Sequence, residues 1–484
     1  MYKQSLFGPI AMVLCLLFTS CQVGQEKKAL KLNELFTNHM VLQQNEEVAF
    51  WGVYTPGEKV AVSGSWGKEE TTTVINNGNW TLNLPTPKAG GPFTVNIVTK
   101  DSTITINDVM IGEVWLASGQ SNMEMPVKGW LPNNPIDNSE KEIADANYPG
   151  IRMFTVMKTF SLEPLDTLLG QWEVASPETA GEFSATAWFF AQRLHQELNI
   201  PIGIIHASWG GTVAEAWTSK GQLKKLGDFD KAIEILEDSS FLTRPNILKL
   251  HQNLPTVLFN GMLHPIIPFT IKGAIWYQGE ANVGRAEQYK KLFPAMIEDW
   301  REKWNNEFPF YFVQIAPYKY NQSPDVSSDI SQKLRDAQRY SLKTKNTGMA
   351  VTMDIGNFEN IHPANKQEVG ARLAGLALAN DYGKQLVASG PLYKSFEKSE
   401  NKLILDFDCK GTGLMAKGSL SGFEIAAADK KYVSAVAKIV DNKVQVFAAS
   451  IAQPEYARYA WWDNGIATLF NKEGLPASSF TTEE

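Results

Sequence analysis

The stretch "GEVWLASGQSNMEMP", residues 112–126, decides the fold. Its apolar first half, from Val114 to Ala117, is too short for a helix and matches a strand buried on both faces. It stops on small and polar residues, with Ser121 set between Gly119, Gln120 and Asn122. A plain strand end needs only a turn, so a hydroxyl placed among glycine, glutamine and asparagine asks for a chemical reason.

Two other segments end in the same way. "IIHASWGGT" (204–212) and "AIWYQGEAN" (274–282) are strand-like runs that break into glycine, tryptophan and amide side chains. Between residues 109 and 385 such runs alternate with helical patterns. In one, Tyr289, Leu292, Phe293, Met296, Ile297, Trp300 and Trp304 fall on a single face. In another, Ser184 is the expected N-cap of "ATAWFFAQRLHQEL". Strand then helix, repeated, predicts an α/β domain over 109–385 with a mostly parallel sheet covered on both faces. In such a sheet the three polar strand ends share one rim, where ligands bind.

The flanks read differently. Residues 28–108 alternate in short strands such as "EKVAVSG" and "TVNIVTK", and "TTTVINNGNWTLNL" reads as two strands joined by an Asn/Gly turn. This predicts an N-terminal β-sandwich-like domain. Residues 386–484 return to short strands ("KLILDFD", "KVQVFAA") and predict a C-terminal β region; "GTGLMAKG" within it is a glycine-rich β turn, because it lacks the Gly-Lys-Ser/Thr ending of a phosphate loop.

The chain of 484 residues carries a formal charge of -7, which leaves no basic field for nucleic acid. Residues 1–21 read as a targeting segment: Lys3 precedes the apolar "FGPIAMVLCLLF" and the small residues "TSC". The ending "LFTSCQ" resembles a bacterial lipobox, which implies an exported cell-envelope lipoprotein, periplasmic or on the outer membrane, anchored through a lipid on Cys21. Of the other two cysteines, Cys15 lies within the signal and Cys409 in the body, so no internal disulfide and no zinc pair is expected. No later stretch is long and apolar enough to span a bilayer, so the anchor is the expected membrane contact.

A serine nucleophile needs a base and preorganised donors for the oxyanion. Six histidines are available. His39, His195 and His206 fit structural places, and His362, in the loop "GNFENIHPANKQ" after the last strand of the α/β domain, is favoured as base over its rival His264. No compact set of His, Asp and Glu suggests a metal, and no cofactor is expected.

The ordered set "GQSNM", "GGT", "WYQGEAN" and "IHPANKQ", with the ending "YAWWDNGIATLFNKEGLPASSF", resembles the sialate O-acetylesterase family of the SGNH/GDSL hydrolase superfamily. The resemblance covers nearly the whole mature chain and implies a flavodoxin-like catalytic domain between β regions. It implies Ser121 as nucleophile, His362 as base, and an oxyanion hole from Ser121, Gly210 or Gly211, and Gln278. The superfamily often has aspartate three residues before its histidine; here Glu359 stands there, with Asp354 or a backbone carbonyl as alternatives for orienting His362. Trp209 is a sugar-stacking candidate, and Glu280, Asn282 and Arg285 are substrate-binding candidates. The implied substrate is an O-acetylated sugar, with 9-O-acetyl sialic acid first and acetyl xylan or another polysaccharide second. A non-catalytic glycan-binding lipoprotein is the alternative of a different class.

Overall fold

The computed structural model describes residues 28–238, 251–320 and 330–483; the expected targeting segment, 1–21, and the lipid anchor expected at Cys21 lie outside them. Seven strands build the sheet that carries the site: β1 (Thr103–Gly119), β2 (Tyr148–Thr155), β3 (Trp172–Ala175), β4 (Ile202–Ser208), β5 (Gly273–Tyr277), β6 (Phe310–Val313) and β7 (Thr347–Ala350). Their order across the sheet is β3-β2-β4-β1-β5-β6-β7. All neighbours pair in parallel except β3, which is antiparallel to β2 at the edge. The sheet is therefore mixed. The chain builds to one side of β1 through β2 and β4, and then to the other through β5, β6 and β7. The crevice beyond the carboxyl end of β1 is thus the point where strand order reverses, the usual ligand position in such sheets.

Side chains along β1 alternate between two cores, as the pleat requires. Trp115 and Ala117 face α2 (Ala185–Leu198) and α5 (Lys366–Asn380), packing with Trp188, Phe190, Leu373 and Ala377. Val114 and Leu116 face the other side, where α3 (Ala286–Trp304) contributes Tyr289, Phe293 and Trp300. Both faces are covered, which is why the strand reads as an apolar run rather than an alternation. The expected N-cap of α2 is present, with Ser184 Oγ accepting from the Ala187 N–H at 3.1 Å.

The β1 strand is 17 residues long, and its first half belongs to the N-terminal unit, where it pairs antiparallel with Gly90–Val98 and parallel with Val41–Gln43. The boundary expected between residues 108 and 109 therefore falls inside one continuous strand. Asp108 marks it with a left-handed φ of 54°, and its carboxylate is held by Arg152 and His39. The segment "TTTVINNGNWTLNL" does form two strands, Lys68–Thr73 and Asn79–Pro85, but they are not a hairpin. The first pairs with Lys59–Gly64 and the second with Glu47–Val53, in a different sheet.

The C-terminal unit is β structure in small antiparallel groups, including Leu392–Ser399 with Lys402–Asp408 and Phe423–Ala426 with Tyr456–Tyr459. It is stitched to the α/β domain through α4 (Ser331–Tyr340) and β6. Arg335 Nε donates to Ser479 Oγ at 3.2 Å, and Gln314 Nε2 to Ser478 Oγ at 2.8 Å.

Candidate active site

Three parallel strands end level with one another. Gly119 of β1 is in register with Ser208 of β4 on one side and with Tyr277 of β5 on the other. Gly119 has φ +140°, and a Cβ there would lie 2.2 Å from the Tyr277 carbonyl oxygen, so glycine lets β1 and β5 stay close where the chain turns. Gln120 sews the turn to β5: its N–H donates to the Tyr277 carbonyl at 2.9 Å, and its Oε1 accepts from the Gly279 and Ala281 N–H groups at 3.3 and 3.2 Å. Ser121 then opens a one-turn helix, α1 (Ser121–Glu124), half-buried at the rim. Its N–H is one of the first-turn amides that a helix cannot satisfy within itself.

Gly210 lies beside it. A Cβ built on Gly210 would sit 3.3 Å from Ser121 Cβ, whereas Gly211 is exposed with open space around it. Of the two glycines, Gly210 is the one placed to aim an amide at chemistry on Ser121. That amide is occupied: it donates to Glu124 Oε2 at 2.5 Å, and Glu124 Oε1 in turn accepts from Lys158 Nζ at 2.6 Å. A carboxylate oxygen thus rests where an oxyanion would seek the Gly210 N–H. The Lys158 ammonium stands 5.6 Å over the ring of Trp209, which is half-buried at the mouth.

His362 lies in the loop between β7 and α5, its half-buried ring edge-on to Trp130 at 5.1 Å between centroids. Burial, aided by the positive charge of Lys366, lowers its pKa to about 4, so the imidazole is neutral at ordinary pH and able to take a proton. The loop is joined to α1. Asn122 Nδ2 donates to the Ile361 carbonyl at 3.0 Å and to Glu280 Oε1 at 2.7 Å. Lys366 Nζ donates to Asn122 Oδ1 at 2.9 Å and to the Pro363 carbonyl at 2.6 Å. Lys366 is fully buried, which pulls its pKa down to about 7, and burial likewise raises that of Glu280. The helix that Ser121 opens, the loop of His362 and the segment just beyond β5 therefore meet in one polar knot.

Asn122 and Lys366 were not singled out from the sequence, although a signal was there. Lys366, Val369, Gly370, Leu373 and Ala374 fall at helical spacing on the buried stripe of α5, and a lysine on an apolar stripe asks for a partner.

Several expected roles are corrected by the geometry. Glu359 is exposed and paired with Lys319, so it does not orient His362. Asp354 is clamped by Arg372 through two bonds of 2.7 and 2.8 Å. Among the described residues the His362 ring has no hydrogen-bond partner. Gln278 is fully buried, and its amide donates to the Thr212 carbonyl and to Asn282 Oδ1, so both hydrogens are committed away from an oxyanion. Asn282 is equally enclosed, accepting from the Ala214 N–H and donating to Glu215. Arg285 pairs with the buried Glu215 at 2.6 Å, which compensates its charge. Glu280 faces Asn122 rather than an open subsite. His264, the rival base, has its ring nitrogen on the Leu165 carbonyl at 2.9 Å and lies apart from this rim.

Comparison with known proteins shows the family to which the chain belongs. Residues 111–379, which hold every strand end described above, match the family model of carbohydrate esterases described as sialic acid-specific acetylesterase. The chain is 34% identical to the sialate O-acetylesterase of Mus musculus over 83% of this chain and 82% of that one. It is 35% identical to the Homo sapiens enzyme of that name, over 76% and 74%. Among solved structures, a carbohydrate acetylesterase from Xanthomonas citri superposes with a TM-score of 0.84 at 36% identity, covering 94% of this chain and all of that one. A rim serine with a neighbouring glycine amide and a neutral histidine, on a chain this similar over this length, identifies a carboxylic ester hydrolase of the sialic acid-specific acetylesterase family of carbohydrate esterases.

Proposed function

We infer that this chain removes O-acetyl groups from glycans through an acetyl-enzyme on Ser121, with 9-O-acetyl sialic acid as the first substrate. The observation that carries the reading is the join between Ser121 and His362: Asn122, next to the serine, holds the carbonyl next to the histidine. In this mechanism neutral His362 accepts the Ser121 proton as Oγ attacks the acetyl carbonyl. The oxyanion takes the Ser121 and Gly210 amides, with Glu124 moving back onto Lys158. Protonated His362 then gives that proton to the departing sugar oxygen, which leaves as a hydroxyl, and water attacks the acetyl-enzyme with His362 again as base, releasing acetate. No acid touches the imidazole ring in this account, which leaves a Ser-His dyad. That remains chemically sufficient, because a triad's acid orients and stabilises rather than reacts.

The parallel sheet with its reversal of strand order at β1 supports a flavodoxin-like, SGNH-type catalytic domain, and the paired β sheets on either side support sandwich-like flanks. Acetylated xylan or another polysaccharide is the second substrate, in keeping with the similarity to a carbohydrate acetylesterase. The lipobox-like "LFTSCQ" supports export and lipid anchoring at Cys21.

The test is acetate release from O-acetylated sialic acid and from acetylated xylo-oligosaccharide, by wild type and by Ser121→Ala. Release from the sialic acid that disappears in the variant is expected. A stronger preference for the xylo-oligosaccharide would move the protein to the second substrate, and wild-type turnover by Ser121→Ala would refute the serine mechanism.

A further inference from the structure

The loop that carries His362 is held by its backbone on both sides. Asn122 Nδ2 donates to the carbonyl of Ile361, and Lys366 Nζ to that of Pro363. The two anchors are also bonded to each other, through Lys366 Nζ and Asn122 Oδ1 at 2.9 Å. The second amide hydrogen of Asn122 goes to Glu280 on the end of β5. Asn122 follows Ser121 directly, so a single buried side chain ties the nucleophile's helix to the histidine's loop.

We propose that Asn122 and Lys366 are positioning residues for ester hydrolysis, holding the imidazole of His362 against Ser121 through the peptide units on either side of it. The inference rests on the serine esterase reading above. In a triad the acid fixes the imidazole through its ring nitrogen. Here neither Glu359 nor Asp354 reaches that nitrogen, and the backbone anchors supply the orientation instead.

Packing alone gives no reason for a lysine at this place. A buried ammonium carries a desolvation cost of several kcal/mol, which its hydrogen bonds and the neighbouring Glu280 carboxylate have to offset. Lys366 shares its stripe with Val369, Leu373 and Ala377, where an unbranched aliphatic chain would fit. Burial lowers its pKa to about 7, against the opposing pull of the Glu280 and Asp137 carboxylates. What lysine adds over methionine is donors, and the two donor bonds present run to the histidine loop and to Asn122.

The experiment measures kcat, KM and Tm for the full chain and for Lys366→Met, Asn122→Ala and the double variant, using 4-nitrophenyl acetate and an acetylated sugar. For Lys366→Met the expected result is a lower Tm, because Asn122 Oδ1 and the Pro363 carbonyl lose their donor, with KM within about twofold and kcat lower by about a hundredfold, the penalty for misplacing a reacting group by about an ångström. The double variant should be no slower than the slower single variant, because both anchors act on one loop. A folded Lys366→Met protein with wild-type kcat would overturn the proposal, as would losses that multiply in the double variant. If Lys366→Met does not fold, Asn122→Ser carries the same kcat and KM comparison. Ser121→Ala is run alongside: acetate release by it would overturn the serine reading beneath, whereas its inactivity combined with wild-type kcat in Lys366→Met would overturn the positioning role alone.

Discussion

Replacing His206 should remove a defined part of the protein's acid sensitivity. His206 lies in β4 with 5% of its surface exposed, and its Nε2 is 2.6 Å from Ser208 Oγ. Burial, reinforced by the nearby positive charge of Lys158, lowers its pKa from 6.5 to about 4. The unfolded chain therefore binds a proton at pH values where the folded chain does not, so this group's contribution to stability is complete above pH 6.5 and is lost as pH falls toward 4. At pH 4.5, two units below the unfolded value, the loss amounts to about 2.5 kcal/mol. Urea unfolding of wild type and His206→Gln at pH 7.5 and pH 4.5 measures it. The variant is expected to be weaker at both pH values, since it disturbs a packed strand. Its drop between them should be smaller than the wild-type drop by about 2.5 kcal/mol, because all other titrating groups are common to both proteins. Equal drops in the two proteins would show that His206 titrates normally, and the reasoning from burial would fail.

Three further outcomes are expected. The acid limb of kcat/KM should lie near pH 4 rather than near 6.5, because the base His362 stays neutral down to that value; half-maximal activity at pH 6 or above would contradict it. Gly119→Ala forces a Cβ against the Tyr277 carbonyl and should lower kcat by about a hundredfold with a falling Tm, read on 4-nitrophenyl acetate; wild-type kcat would show that the rim tolerates the shift. Glu124→Ala frees the Gly210 amide from a charged hydrogen bond of about 1.5–3 kcal/mol and should raise kcat by up to about tenfold. A fall in kcat would mean that Glu124 takes part in the chemistry.

The rim was legible because apolar period and abrupt polar endings are local signals. Three runs ending in "SGQSN", "SWGGT" and "QGEAN" had to share an edge once the sheet was parallel, and Gly119, Ser208 and Tyr277 are indeed in register. The cap at Ser184 and the apolar face of α3 were legible for the same reason. Side-chain direction at the rim was not legible. Gln278 and Asn282 are the right residue types for oxyanion donors, but the direction of an amide is set by what packs around it, here Thr212, Ala214 and Glu215 from another segment. Glu359 failed in the same way. Its spacing from His362 fits an acid partner, yet Lys319, forty residues earlier, draws it outward. The two strands and the turn expected around Asn76–Gly78 are present, but a turn signal tells that the chain turns and not which sheet receives the next strand.

The length of β1 has a consequence for inheritance. Its residues up to Ile111 are paired within the N-terminal unit, and those from Glu113 to Gly119 within the catalytic sheet, so no tether lies between the two where one could be exchanged for another. The strand acts as a ruler. Adding or deleting one residue within it would carry the remaining side chains to the opposite face, exchanging Trp115 and Ala117 for Val114 and Leu116 in the two cores. Insertions should therefore accumulate in the loops of the N-terminal unit and stay out of residues 104–118, and that unit and the strand end that carries Ser121 should pass between lineages as a single piece.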